Sequence, residues 1–234
     1  MVARVGHAWA AAALMGWLIA TAGAAETPPT EVAELAHNWD HVNFEIQNPD
    51  AQIAAADALM REAQAAARSR PGEPGPLIWE AAAILAKADA RHDLASLSLA
   101  KQARRLLEQA TAEGATGQEG AFAHAVLGEL YGATPGFPLG FGDRRKARAE
   151  FDKAFALAPD DIDVNVLYAD FLLDQKDPQG ALEAAQRALN APPRPGREVA
   201  DKGRREEATA DIAKAQRELH GRSGSAGAPP RTGA

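Results

Sequence analysis

The chain contains no cysteine among its 234 residues. Disulfide bonds, thiolate metal ligands and cysteine nucleophiles are therefore excluded, and packing alone must stabilise the fold. A bacterial lipoprotein needs a lipid-bearing cysteine just after its leader, so we expect a soluble protein rather than a tethered one. Runs of β-branched residues with a period of two are also scarce, which argues against a sheet.

Motifs for catalysis are missing as well. The chain has no HExxH, P-loop or G-x-S-x-G sequence, and its glycine-rich segment 136–142 lacks the Lys-Ser/Thr pair that a phosphate loop requires. His37 and His41 lie four residues apart, but a zinc site usually needs a third protein ligand. We therefore expect no enzyme, no cofactor and no metal site.

Positive charge is in short supply, because 25 Lys and Arg face 32 Asp and Glu, for a formal net charge of −7. A general nucleic-acid binder needs a basic surface, so the net charge argues against this class of function, and we expect no nucleic-acid partner. Residues 194–222 are the exception. Their basic residues alternate with acidic ones, a pattern that is typical of a solvated helix face.

Only one long apolar run occurs, Ala8 to Ala20, and it follows the positive Arg4. Small residues come next, with Ala22 and Ala24 at the −3 and −1 positions of an A-x-A cleavage site. This order predicts a secretory signal over residues 1–25, cleaved on export to the periplasm, which leaves no membrane span. The alternative is a retained anchor, although the run is shorter than the roughly 20 residues of a span.

Glycine and proline divide the remaining chain into helix-length blocks, which predicts an all-α domain over residues 26–220. We expect four antiparallel helix pairs, a capping helix over 198–219, and a disordered Gly-, Ser- and Pro-rich tail over 221–234. The paired helices are predicted at 29–46, 50–69, 77–90, 94–112, 121–131, 143–158, 161–175 and 178–191.

An internal repeat supports this arrangement. Ala147, Phe151, Ala154 and Pro159 recur 34 residues later as Ala181, Ala185, Ala188 and Pro193, with only the phenylalanine changed. Small residues allow helices to approach, the large residue fills the gap between layers, and the proline ends the helix. Together with Leu127-Gly128 and Tyr131, residues 121–193 resemble tetratricopeptide repeats, which implies stacked hairpins in a right-handed superhelix. The N-terminal half resembles them only in its helix pairs.

Three segments carry a more specific resemblance. They are P-G-F-P-x-G-F-G-D-x-x-K-A at Pro135–Ala147, F-L-L-D-Q at Phe171–Gln175, and A-P-P-R-P-G-R-E at Ala191–Glu198. The chain is similar here to exported helical-repeat proteins of the T-component family of tripartite ATP-independent periplasmic (TRAP) transporters. This resemblance implies a role beside the transporter's periplasmic substrate-binding protein.

The repeat register predicts an acidic inner face. A peptide carboxylate clamp needs Lys and Asn there, so we expect basic, neutral or apolar partners instead. Two alternatives stay open: a solvated acidic face with no ligand, or a Ca²⁺ or Mg²⁺ site built from the carboxylates. The candidate groove residues are Phe122, Glu129, Asp163, Val166, Asp170 and Asp174.

The insertion between Gly128 and Ala147 makes this repeat about seven residues longer than the usual pattern. Its loop contains Phe137, Leu139 and Phe141, and large apolar side chains in a loop are expected to be buried. They would either plug the end of their own helix pair or form a lid over the groove. The sequence thus favours an interaction scaffold that holds a protein segment or small apolar ligand on its concave face. The alternative is an accessory subunit of a TRAP-type transporter.

Overall fold

The computed structural model describes residues 30–91, 93 and 95–226. The predicted signal, and residues 227–234 of the predicted tail, lie outside the described residues. All regular secondary structure within these ranges is helical, as the sequence predicted. The helices are α1 (Thr30–Phe44), α2 (Pro49–Ser69), α3 (Pro74–Arg91), α4 (Ser96–Ala112), α5 (Gly117–Ala133), α6 (Arg144–Leu157), α7 (Ile162–Asp174), α8 (Pro178–Leu189) and α9 (Glu198–Ala226).

Several helix boundaries differ from expectation; α5, for example, begins at Gly117 rather than Ala121. Two of the differences have a reason in local chemistry. α3 begins at Pro74 rather than Leu77, because a proline in the first turn gives up an N–H that has no helical partner there. α9 continues to Ala226, so residues 221–226 are helical rather than part of a disordered tail. No proline interrupts the chain before Pro229, and the backbone ladder therefore extends past the predicted end.

Three of the helices have an aspartate as their N-cap residue. The carboxylate of Asp143 accepts hydrogen bonds from the backbone N–H groups of Arg145 and Lys146, which confirms its predicted role as an N-cap. Asp161 caps α7 and Asp177 caps α8 in the same way. These caps fix the points at which the chain reverses between hairpins.

The helices form two layers of a solenoid. Among the described residues, the odd-numbered helices contact one another: α1 packs on α3, α3 on α5, α5 on α7, and α7 on α9. The even-numbered helices contact only odd-numbered neighbours. The odd helices therefore line the inner face and the even helices form the outer layer. α1 also contacts α9, so the first and last inner helices meet.

The predicted repeat residues form the seam between the layers. All three of Ala147, Phe151 and Ala154 on α6 have no exposed surface, and neither do Ala181, Ala185 and Ala188 on α8. Gly128 on α5 is needed for this packing, since a Cβ built there would lie 2.8 Å from the ring of Phe151.

Candidate functional site

The concave face is largely filled by the chain itself, because α9 lies along α7 and reaches α1. Asp163, a predicted groove residue, is 2% exposed beneath it. Its carboxylate accepts hydrogen bonds from Arg194 Nη1 at 2.5 Å and from Arg204 Nε at 2.7 Å. Burial alone would raise the pKa of Asp163, but the two guanidinium groups outweigh it and hold that pKa well below its usual range.

Further ion pairs join the loop between α8 and α9 to α9 itself and to α1. Arg194 donates to Asp201 at 2.7 Å, and Arg197 donates two hydrogen bonds to Asp40 of α1, at 2.7 and 2.8 Å. A bidentate arginine–carboxylate pair fixes orientation as well as distance. We call these residues the closing cluster; it consists of Asp40, Asp163, Arg194, Arg197, Asp201 and Arg204.

Aromatic rings support the closing cluster from below. Trp39, Trp79 and Phe122 pack against one another with centroids 5.4 to 5.8 Å apart. The guanidinium of Arg197 lies 5.2 Å from the Trp79 ring and that of Arg204 lies 5.8 Å from Trp39, both within the range of a cation–π contact. The rings thus supply both hydrophobic burial and a favourable surface for buried positive charge.

Beyond the closing cluster the inner helices leave a cavity of about 200 Å³, which we call the central cavity. Its apolar wall is formed mainly by the Trp39 and Phe122 rings and aliphatic side chains, and its charged groups are four carboxylates and one guanidinium. A second cavity of about 300 Å³ adjoins it through Leu85, Asp89 and Glu129, and opens at the start of the insertion loop. The lining of the central cavity is Trp39, Asn43, Ala82, Leu85, Ala86, Asp89, Phe122, Val126, Glu129, Leu167, Asp170, Arg204 and Glu207.

The central cavity has more acidic than basic side chains. Burial raises the pKa of Glu129 to about 7, against the opposing charge of Arg204. Burial also raises the pKa of Asp170, whose carboxyl group hydrogen-bonds to that of Asp211 on α9. Burial, followed by the charge of Asp170, raises the pKa of Asp211 to about 7. Carboxyl groups here therefore hold protons near neutral pH.

The predicted groove residues separate into three environments. Phe122, Glu129 and Asp170 meet at the central cavity. Asp163 is buried against Arg194 and Arg204, and Val166 has no exposed surface, so neither faces an open groove. Asp174 is exposed at the end of α7, outside the central cavity. The carboxylates proposed as a cation site therefore do not converge.

Sequence reasoning missed Trp39, Asp89, Arg204 and Glu207 in the cavity wall. The alternating charges of residues 194–222 predicted a solvated face, yet Arg194, Arg204 and Asp211 are each less than 10% exposed. Each has a partner on α7, at least 31 residues earlier in the sequence: Asp163 pairs with Arg194 and Arg204, and Asp170 with Asp211. The available signal was the presence of arginine, which is suited to buried ion pairs, at these positions.

The insertion loop is only partly buried. Phe141 packs against Tyr131, with ring centroids 6.0 Å apart, and the guanidinium of Arg104 lies 4.5 Å from its ring. Phe141 thus plugs its own helix pair. Phe137 and Leu139 are 94% and 73% exposed, so the expectation that all three are buried is wrong for these two. The backbone of segment 136–140 is closed by its own hydrogen bonds, which leaves these side chains no core to enter.

Within the described ranges, no three His, Asp or Glu side chains converge as metal ligands. His41 instead pairs with Glu45 at 2.6 Å on the surface of α1. None of the described helices combines the length and the apolar character needed to cross a membrane.

Comparisons with known proteins agree with the repeat. Residues 139–202 match the tetratricopeptide repeat family. A thermophilic tetratricopeptide-repeat protein of Thermus thermophilus has a similar structure, with a TM-score of 0.50 and 19% identity over 70% of this chain and 82% of its own. Two crystal structures of MamA have TM-scores of 0.38 and identities of 17% and 16%; they cover 73% and 84% of this chain and 92% and 96% of theirs. No curated protein matches the chain in sequence.

Proposed function

We propose that this tetratricopeptide-type scaffold acts by binding rather than catalysis, and that its central cavity receives a positively charged group on an apolar stem. The group would be a basic side chain of a protein partner or a small organic cation. The observation that carries the proposal is the composition of the cavity, in which four carboxylates face one guanidinium above two aromatic rings.

The chemistry of the wall suits such a ligand. Loss of hydration raises the pKa of Glu129 and of Asp170, and an incoming cation would favour the charged form of both carboxyl groups. The faces of Trp39 and Phe122 attract cations and also pack against methylene groups. Charge and apolar surface therefore favour the same class of ligand.

The size of the cavity limits what can enter. The central cavity alone holds about 200 Å³, less than the roughly 300 to 1,000 Å³ of a typical small-molecule site. With the adjoining cavity, of about 300 Å³, the space reaches that range. A single extended side chain or a slender molecule fits, whereas a helix or a folded segment does not. This narrows the protein segment expected from the sequence to one inserted side chain.

Calorimetric titration of the full chain with 1,5-diaminopentane and with a lysine-containing tripeptide tests this proposal. Leu85→Trp narrows the passage between the cavities and should abolish binding. Glu129→Gln should weaken it at least about tenfold, because a charge-assisted hydrogen bond is lost. Asp174→Asn, a matched change outside the cavity, should have no effect. Equal affinity in Leu85→Trp and the unmodified chain would place the ligand elsewhere. Binding of the peptide alone would identify a protein partner.

We further propose that the protein is exported and works in the periplasm. The support is the order of Arg4, an apolar run and an A-x-A site in the first 25 residues. The N-terminal sequence of the protein recovered from the periplasm should begin at Ala25 or Glu26. Recovery from the cytoplasm with Met1 intact would refute export.

A second candidate function is an accessory role in a TRAP-type transporter. The resemblance in the three segments supports it, and so does a cavity enclosed by helices, which a solute could occupy. Co-purification of a periplasmic substrate-binding protein with the full chain is the expected result. If that protein is expressed beside the chain and never co-purifies with it, this candidate is excluded.

A further inference from the structure

The insertion loop exposes two large apolar side chains to solvent, and backbone hydrogen bonds hold the loop in place. Phe137 is 94% exposed and Leu139 is 73% exposed. Backbone hydrogen bonds from Gly142 to Pro135 and from Asp143 to Tyr131 close the base of the loop. These two residues, which we call the knob, thus project from a fixed position. Exposed large apolar groups held in this way are typical of interaction sites.

A basic patch lies directly beside the knob. Arg144, Arg145, Lys146 and Arg148 are exposed at the start of α6, and none of them forms an ion pair within the part of the chain that the structure describes. Lys146 and Arg148 instead rest near the Tyr131 and Phe171 rings. Among the described residues, four cations with only Asp143 and Asp152 close to them leave this face positive in a protein whose net charge is −7.

Helix stability does not explain the patch. The first turn of a helix carries a partial positive charge, which favours acidic side chains and disfavours basic ones. α6 has no acidic residue in its first turn, and only the N-cap Asp143 offsets the four cations. This placement works against the helix, and the neighbouring rings account for Lys146 and Arg148 only, so Arg144 and Arg145 have no such reason within the fold.

A groove leads away from the patch between α6 and α7. It has a volume of about 330 Å³ and is lined by Arg144, Arg145 and Arg148, with Phe171 at one side and Asp152 as its acidic member. Guanidinium groups converging on one groove match the geometry of phosphate oxygens. An anion would therefore bind at a defined position in this groove, rather than being attracted only by the overall positive potential of the patch.

We propose that the knob and the basic patch together form a peripheral attachment site for an anionic phospholipid surface, with headgroup phosphates in the arginine groove and Phe137 and Leu139 inserted at the boundary with the acyl chains. Basic residues around exposed Phe and Leu are the combination that binds such surfaces. The attachment is reversible, because two side chains give only shallow insertion.

The shape of the knob favours a lipid over an acidic protein. Phe137 and Leu139 stand out convexly, and a fluid interface closes around a convex group without a matching pocket. A folded acidic partner would need a pocket of its own for two apolar side chains. The site is independent of the central cavity, so the proposal stands apart from the proposed function.

A fluorescent label tests the inference, since the absence of native cysteine makes a single introduced one unique. Leu139→Cys in the full chain, labelled with an environment-sensitive dye, is mixed with vesicles of phosphatidylglycerol and phosphatidylcholine, and with vesicles of phosphatidylcholine alone. Asp160→Cys serves as the control. It is exposed just past the opposite end of α6, roughly 20 Å away by helix geometry.

The dye at position 139 should brighten and shift to the blue with anionic vesicles only, and the dye at position 160 should not. Neutralising Arg144 and Arg145 with Gln should weaken vesicle binding about fivefold per charge. Equal responses at both positions, or no response at position 139, would overturn the proposal. A response to polyglutamate but not to phosphatidylglycerol would do so as well, in favour of an acidic protein.

Discussion

The inner face has a closed end, at the closing cluster, and an open end, at the central cavity. Both combine arginine with carboxylate side chains, but in different proportions. In the closing cluster, three arginines meet three aspartates, and α9 lies tightly against α1 and α7. At the central cavity, carboxylates outnumber guanidinium groups by four to one, and a space remains. Equal numbers of arginines and aspartates therefore accompany the closed part of the groove, and an excess of carboxylates accompanies the part that keeps a cavity, with Arg204 shared by both.

The physical reason is the cost of burying charge. An ion pair can leave water only if each member gains a partner with good geometry, as the hydrogen bonds of the closing cluster provide. Carboxylates without such partners retain protons or keep contact with solvent. A repeat protein can thus divide one concave surface into a structural part and a binding part by its choice of charges alone.

Removing Asp163, the carboxylate shared by two arginines of the closing cluster, should have the largest effect on stability. Asp163→Ala leaves Arg194 and Arg204 buried without their shared partner, and should lower the free energy of unfolding by about 3 to 5 kcal/mol. Urea unfolding followed by circular dichroism measures this. Asp160→Ala, an exposed change three residues earlier, should stay within about 0.5 kcal/mol. Comparable losses in both variants would contradict the structural role of the cluster.

The close approach of α9 to α1 gives the next effect. A Cβ on Gly203 would overlap the ring of Phe44, so Gly203→Ala should cost about 1 to 3 kcal/mol through forced separation of the helices. Gly221→Ala lies on the same helix with nothing nearby, and should stabilise by up to about 1 kcal/mol. Thermal unfolding of the pair measures the difference. A stabilised Gly203→Ala variant would show that the two helices do not touch.

Carboxyl groups at the open end should make the stability of the fold depend on pH. The pKa of Asp211 rises from 3.8 to about 7 on folding, so the folded protein binds more protons than the unfolded chain between these values, and stability is lost as the pH rises through this window. Asp211→Asn should remove that loss. The free energy of unfolding of the variant, relative to that of the unmodified chain, should therefore be higher at pH 8 than at pH 5. The gain should be at least about 1 kcal/mol.

Unfolding free energies at pH 5 and pH 8 decide this prediction. Asp174→Asn is the control, because its side chain is exposed on α7 one turn beyond Asp170. It should leave the pH profile of the unmodified chain unchanged. A profile in which Asp211→Asn still loses as much stability as the unmodified chain would mean that its carboxyl group is not protonated in the folded state.

The smallest effect on stability is expected in the insertion loop, which lies outside the closing cluster and the central cavity. Phe137→Ser removes a side chain that is 94% exposed, and should change stability by less than about 0.5 kcal/mol. Phe141→Ala removes the ring that packs on Tyr131 and should cost about 1 to 2 kcal/mol. Chemical denaturation of both variants tests the distinction. A large loss in Phe137→Ser would assign the knob a structural role.

The sequence predicted the parts of the fold that local chemistry and the repeat determine. Ala147 and Ala181 are buried at the predicted seam, and Asp143 caps its helix. Two of the predicted groove residues, Glu129 and Asp170, line the central cavity, and their role in binding stays a prediction. The repeat register places residues on the inner face but carries no information about what lies opposite.

The position of α9 could not be predicted for that reason. Its alternating charges look the same in a solvated helix as in one whose arginines find buried partners, and Asp40 lies 157 residues before Arg197. The exposure of Phe137 was missed on different grounds. Burial is the average behaviour of phenylalanine, and an interaction surface departs from that average.

The contact between α1 and α9 also has a consequence for how the chain acquires and loses its structure. A linear array of repeats folds by local steps and can fray from either end, because each unit interacts only with its neighbours. Here the pairing of Asp40 with Arg197 makes the terminal hairpins neighbours too, at the entropic cost of closing a very long loop. Such a ring should melt in one cooperative transition and should form more slowly than an open array of the same length.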